Sequence, residues 1–111
     1  PNSPFLSPPA NAYTMFLKVH RSRDTGDVVA VCDRELLNTT VHHEKITIII
    51  SDSFYGNTPA TEDEVKTALK NAGNINIIGE RSVRVAIDMG LITKSECMMI
   101  GKVPHAQIYQ L

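Results

Sequence analysis

The sequence predicts an α+β domain: a two-layer sandwich whose mixed β-sheet carries two main helices on one face, in the order ββ(α)βαβαββ. Three observations predict it. Residues Ile46–Ile50 form an apolar, largely β-branched run, I-T-I-I-I, of strand length. Thr61 and Glu64 are spaced as a capping box ahead of an apolar helix stripe of Val65, Ala68, Leu69 and Ala72. The strand pairs at the two ends of the chain are joined too briefly for parallel crossovers, which excludes a doubly wound fold.

Taken in order, residues 1–14 hold four prolines and no charge, and read as an extended tail outside a single domain spanning 15–111. Phe5, Leu6 and Tyr13 are expected to dock on the domain or a neighbouring chain, and Met15 would suit an internal translation start. Met15–His20 alternates Met15, Leu17 and Val19 against Phe16, Lys18 and His20, and a second strand over 27–32 completes a hairpin. Asp33 is placed to cap a short helical turn through Leu37, and 38–44 reads as an exposed loop. The Ile46–Ile50 strand, apolar on both faces, reads as an inner strand. Ser51, Asp52 and Ser53 end it in a turn, and Gly56 supplies a positive φ. Phe54 is expected to plug the core. Tyr55 either lids it or offers a stacking and hydrogen-bonding group to a ligand.

Gly73 ends the first helix. In Asn74–Ile78 the two asparagines face away from Ile75 and Ile77. Gly79 turns into the second helix, whose inner face is Val83, Ala86 and Ile87. Strands over 97–100 and 106–111 follow, separated by G-K-V-P-H.

Composition narrows the function. An apolar fraction of 42% without tryptophan makes a core of Ile, Val and Leu. A formal charge of −1 excludes a nucleic-acid grip that rests on bulk charge and leaves only a local basic patch. Cys32 and Cys97 have no metal-type spacing and read as reduced, cytoplasmic thiols. No apolar run reaches membrane-spanning length, and the uncharged start lacks the basic residues of an export signal.

Catalytic patterns are weak. Cys32, with His20 or His105 as base, is the candidate nucleophile, yet its phase with Val28 and Ala30 marks a packed thiol. His42 and His43 are adjacent and point apart, so they do not chelate together. The strand–glycine–helix segment I-N-I-I-G-E-R-S has the outline of a phosphate site. Glu80 in the helix's first turn and the single glycine argue for a structural role instead. No catalytic set, metal or cofactor is expected.

A binding set is better supported. Lys18, His20, Arg21 and Arg23 cluster on the first hairpin, Arg81 and Arg84 are three apart on the second helix, and Lys102 and His105 flank Pro104. His105, Gln107 and Tyr109 share a strand face. With Tyr55 and Tyr109 as stackers this is how RNA modules combine charge with aromatic platforms. The expected site is Arg21, Arg23, Tyr55, Arg81, His105 and Gln107, converging near Tyr55; the plain alternative is a solvated mixture balanced by Asp24, Asp27 and Asp88. The function expected is a binding protein, an RNA- or ribonucleoprotein-associated accessory factor. Its rivals are a small enzyme using Cys32 or His105 beside the loop over 51–56, and a homodimer formed through an edge strand or the tail.

Four segments carry a family resemblance: L-K-V-H-R-S-R-D-T-G-D-V-V-A-V-C-D-R-E-L-L at 17–37, I-S-D-S-F-Y-G at 50–56, I-I-G-E-R-S-V at 77–83 and V-P-H-A-Q-I-Y at 103–109. With these the chain resembles, over 15–111, a family of small archaeal proteins, the domain of unknown function numbered 424. The resemblance implies one α/β two-layer domain in an archaeal cytoplasm, with no established activity and no cofactor. Asn38, Asn57 and Lys102 stand where the family pattern leads one to expect glycine, and the tail is foreign to the pattern.

Overall fold

The computed structural model describes residues 7–24 and 26–110. Strands β1 (Met15–His20), β2 (Val28–Asp33), β5 (Pro59–Ala60), β6 (Asn74–Ile78), β7 (Met98–Ile100) and β8 (Val103–Tyr109) make one six-stranded sheet, in the order β5-β1-β2-β6-β8-β7. All its pairings are antiparallel except β2 with β6, where Val29 lies opposite Ile75 and Val31 opposite Ile77. A parallel pair needs a long crossover. The chain between β2 and β6 supplies it, and also carries β3 (Thr39–His43), β4 (Ile46–Ile50), α1 (Asp52–Tyr55) and α2 (Glu62–Lys70).

Strand alternation sorts the sheet's two faces. Met15, Val29, Val31, Ile75, Ile77 and Ile108 point to one face and bury against α2 and α3 (Glu80–Asp88), chiefly Val65, Leu69, Val83 and Ala86. The expected capping box forms: Glu64 N–H donates to Thr61 Oγ1 at 3.2 Å, and Thr61 N–H to Glu64 Oε1 at 2.9 Å. The other end of α2 is not closed by a left-handed Gly73. Instead Gln110 Nε2 donates to the carbonyls of Leu69 and Ala72, at 3.3 and 2.5 Å, satisfying acceptors that a helix end leaves open.

The opposite face departs from a plain two-layer sandwich. Ile46–Ile50 is not an inner strand: it pairs only with β3, in a separate two-stranded sheet. The segment expected as an exposed loop over 38–44 is therefore largely strand. Five consecutive apolar or β-branched residues have no alternation to mark one wet face, so the run could not reveal that Ile46 and Ile49 are 47% and 68% exposed. This hairpin and α1 cover half of the sheet's second face. A second small core forms there from Ala30, Cys32, Ile50, Tyr55, Ile78 and Ile100. Asn38 enters the hairpin at φ 62° and accepts a bond on Oδ1 from Asp52 N–H at 3.3 Å. Asparagine tolerates the left-handed region and so serves there in place of glycine.

The last strand is also longer than expected, starting at Val103, because Gly101 at φ 62° makes a tight turn out of β7. In the tail, Ala10–Ala12 form a 3-10 turn. Arg34 donates to the Tyr13 carbonyl at 3.0 Å, and its backbone N–H to that of Thr14 at 2.9 Å. Phe5 and Leu6, named as docking residues, lie outside the described residues.

Candidate functional site

Beyond the hairpin, the second face of the sheet is open. The alternation that buries Ile75, Ile77, Ala106 and Ile108 against the helices turns Asn74, Asn76, His105, Gln107 and Tyr109 outward. They form a connected row. Tyr55 Oη–H donates to Asn76 Oδ1 at 2.7 Å, Asn76 Nδ2 donates to Gln107 Oε1 at 2.9 Å, and Gln107 Nε2 donates to Asn74 Oδ1 at 2.5 Å. His105 Nε2 lies 3.3 Å from the same Asn76 oxygen. Tyr109, directly opposite Asn74, is 71% exposed.

The wall of this surface is α1. Lys18 Nζ donates to the Ser53 carbonyl at 3.0 Å, and His20 Nε2 lies 2.7 Å from the Phe54 carbonyl. The His20 and Phe54 rings stack with centroids 4.8 Å apart, and Phe54 meets Tyr55 edge-on at 4.9 Å. At the floor, burial pushes the Tyr55 hydroxyl pKa up, keeping it a proton donor, and lowers that of His105, favouring neutral imidazole.

Of the six residues expected to converge, Tyr55, His105 and Gln107 meet around Asn76. Tyr55 is only 4% exposed and packs into the second core, the lid expected of it, which leaves no open ring face for stacking. Arg21 and Arg23 follow β1, beside the start of β6, and are exposed. Arg21 pairs with Asp27 at 2.8 Å. These lie at the Tyr109 end, where Arg21, Asn74 and Tyr109 border a cleft of about 770 Å³ that is walled by Val19, Val29 and Ala68 of the helix-side core, at the rim of the sheet rather than on its open face.

Arg81 is elsewhere. It follows Ile78 at the far end of β6 and is bound to Glu35, which raises its pKa through hydrogen bonding and charge. The length of β6, about 3.3 Å per residue over Asn74–Ile78, separates it from the arginines after β1. The basic set is therefore split between two ends of the sheet.

That far end holds Asp33, which stands at the N-cap position of the expected short turn, Arg34–Leu36, but turns its side chain elsewhere. The side chain makes no capping bond to that turn. Its carboxylate crosses to α3: Oδ1 accepts from Ser82 N–H at 2.8 Å and from Ser82 Oγ at 2.7 Å, and Oδ2 from Arg81 N–H at 3.1 Å. The protein's own carboxylate thus occupies the anion-binding end of the helix.

Cys32 is fully buried, and desolvation, reinforced by Asp33, pushes its pKa to about 12. The sheet offers it no route to a substrate. His42 hydrogen-bonds Thr47 at 3.2 Å, and His43 lies 4.0 Å from Glu44. Among the described residues no group of three or more His, Cys, Asp or Glu is placed to hold a metal, and no helix is long and apolar enough to cross a membrane.

Sequence reasoning passed over Asn74 and Asn76, although N-I-N-I-I carried the signal: two amides on the strand face opposite the buried isoleucines.

No curated protein matches the chain. A solved structure does: the crystal structure of an uncharacterized conserved protein from Methanopyrus kandleri, with a TM-score of 0.74 and 30% identity. The match covers 87% of this chain and 91% of that one. The family described as "Protein of unknown function (DUF424)" matches residues 20–111, and the chain belongs to that family.

Proposed function

We propose that the open half of the sheet is a platform for single-stranded RNA, and that the protein is a non-catalytic accessory factor of RNA or a ribonucleoprotein. One observation carries this reading: a hydrogen-bonded amide row ending beside a 71% exposed tyrosine, with two exposed arginines at the same end. Tyr109 supplies the stacking face, Asn74 and Gln107 the polar edge, and Arg21 and Arg23 the phosphate contacts. Tyr55 and His105 hold the row at Asn76. Arg81 has no part in it, because it lies at the other end of the sheet. An archaeal, cytoplasmic setting belongs to the same proposal, supported by the source of the solved neighbour and by two free thiols.

Binding of a labelled, mixed-sequence single-stranded RNA, followed by fluorescence anisotropy from low to moderate salt, tests the proposal. Affinity should fall steeply with salt, and Tyr109→Ala should weaken binding by about tenfold, in line with about 1–3 kcal/mol per stacked base. Absence of salt-sensitive binding sinks it.

Self-association is the second reading. Met98 on the edge strand β7 is 58% exposed and Ile49 68%. Sedimentation at two concentrations tests it, since a clean monomer at both rejects a dimer.

A further inference from the structure

The two edges of the six-stranded sheet are finished differently. One edge is β5, two residues long and opening on Pro59, which has no N–H to offer a neighbouring strand. The other is β7, Met-Met-Ile, with neither proline nor charge to discourage pairing. Met98 and Met99 are 58% and 49% exposed, whereas Ile100 is buried in the second core. Met98 stands opposite His105 on the open face, and Met99 opposite Pro104 on the helix side. Beside Met99 a groove of about 500 Å³ runs along α3, with Ile87 and Pro104 in its walls. Four charged residues border it, Arg84 and Lys94 against Glu80 and Asp88, and none of them forms an ion pair among the described residues.

Resting on the self-association reading above, we propose that two copies of the chain join through β7, in an antiparallel two-fold joint centred on Met98. The occupant follows from the charge around the groove. A partner of one sign would leave half of the four groups unpaired, while a two-fold interface sets the patch against itself and needs both signs in equal number. The centre follows from access. The strand is open only between the 3-10 turn Lys94–Glu96 and the buried Ile100, and Met98 is the middle residue of that stretch. Met98 then meets the partner's Met98 on the open face. Cys97 meets the partner's Met99 on the helix side, where a flexible thioether fills an irregular groove. An antiparallel joint keeps like faces of the two sheets on one side, so the amide rows of both copies share one surface. Their β8 strands are three strand spacings apart, about 14 Å.

Cysteine cross-linking of the full chain tests the centre, in a Cys97→Ser background that leaves only the buried Cys32 as a native thiol. Directly opposed strand residues come within disulfide reach, whereas diagonal ones stand about 7–8 Å apart. Met98→Cys should therefore give a disulfide-linked dimer under mild oxidation, and Met99→Cys about tenfold less of it. Met98→Lys changes an exposed side chain, so the variant should fold, and it should raise the dimer dissociation constant by about tenfold or more in sedimentation equilibrium. Stronger linking through Met99→Cys overturns the centre. A wild-type dimer that Met98→Lys does not weaken and Met98→Cys does not link overturns the β7 joint, while self-association stands through another surface. A wild-type monomer at every concentration overturns both, and leaves the edge to a strand from a different protein.

Discussion

Asp33 and Ser82, 49 positions apart, are joined twice: one carboxylate oxygen accepts from both the backbone N–H and the hydroxyl of Ser82, at 2.8 and 2.7 Å. The pair ties the end of β2 to the start of α3 across the parallel strand pair. Both residues are buried, Asp33 at 4% exposure and Ser82 at 0%. Asp33→Ala leaves three donors without an acceptor and should cost about 3 kcal/mol. Asp33→Asn, which keeps one acceptor, should cost about half that. Urea unfolding monitored by circular dichroism reads both. A loss within 0.5 kcal/mol of zero for the alanine variant, roughly what an ordinary surface change gives, would remove the tie from the account.

Gly79 makes that approach feasible. Its φ is 110°, and a Cβ there would sit 2.3 Å from the Asp33 carboxyl carbon. Gly79→Ala combines backbone strain with a collision and should destabilise by about 2 kcal/mol or more. Combined with Asp33→Ala it should cost less than the two single losses added, because the collision partner is gone. Strict additivity in the double variant would refute the geometry.

His105 makes stability pH-dependent. Burial lowers its folded pKa below the ordinary 6.5, so the unfolded chain binds the proton more readily. Its contribution is present in full above about pH 6.5 and declines as pH falls through that value toward the lower folded one. Unfolding free energies at pH 7.5 and 5 should therefore differ more for wild type than for His105→Gln. Equal differences would show that His105 is not the group responsible.

The buried thiol should be inert. With its pKa at about 12, native Cys32 should not react with a disulfide reagent at pH 8, while the half-exposed Cys97 reacts slowly and denaturant releases both. Rapid modification of two thiols in the native state would reopen Cys32 as a nucleophile.

On the RNA reading, the two ends of the sheet should behave differently. Replacing both Arg21 and Arg23 by alanine should lower the salt slope of binding by about two, one for each phosphate contact. Arg81→Ala should leave slope and affinity unchanged, because Arg81 follows the far end of β6, a strand's length from Asn74 and Tyr109. An equal effect from Arg81→Ala would mean that RNA runs the length of the sheet.

Local features were legible in the chain itself: the alternation of Met15–His20, the Thr61–Glu64 box, the helix stripe behind it and the opposed faces of Asn74–Ile78. Each depends on residues within one or two turns or strand repeats, which is the range over which periodicity carries information. The family resemblance likewise rested on contiguous segments. Tertiary structure alone decided that Ile46–Ile50 leaves the main sheet for a hairpin with Thr39–His43, that Asp33 binds α3 rather than its own following turn, and that Arg81 lies a strand's length from Arg21. It also decided that Tyr55 is buried where it meets Asn76, while Tyr109 stands exposed opposite Asn74. The physical reason is that strand pairing and buried polar partners are chosen among groups distant in sequence, by competition for burial and for hydrogen bonds. No local pattern records which distant group wins.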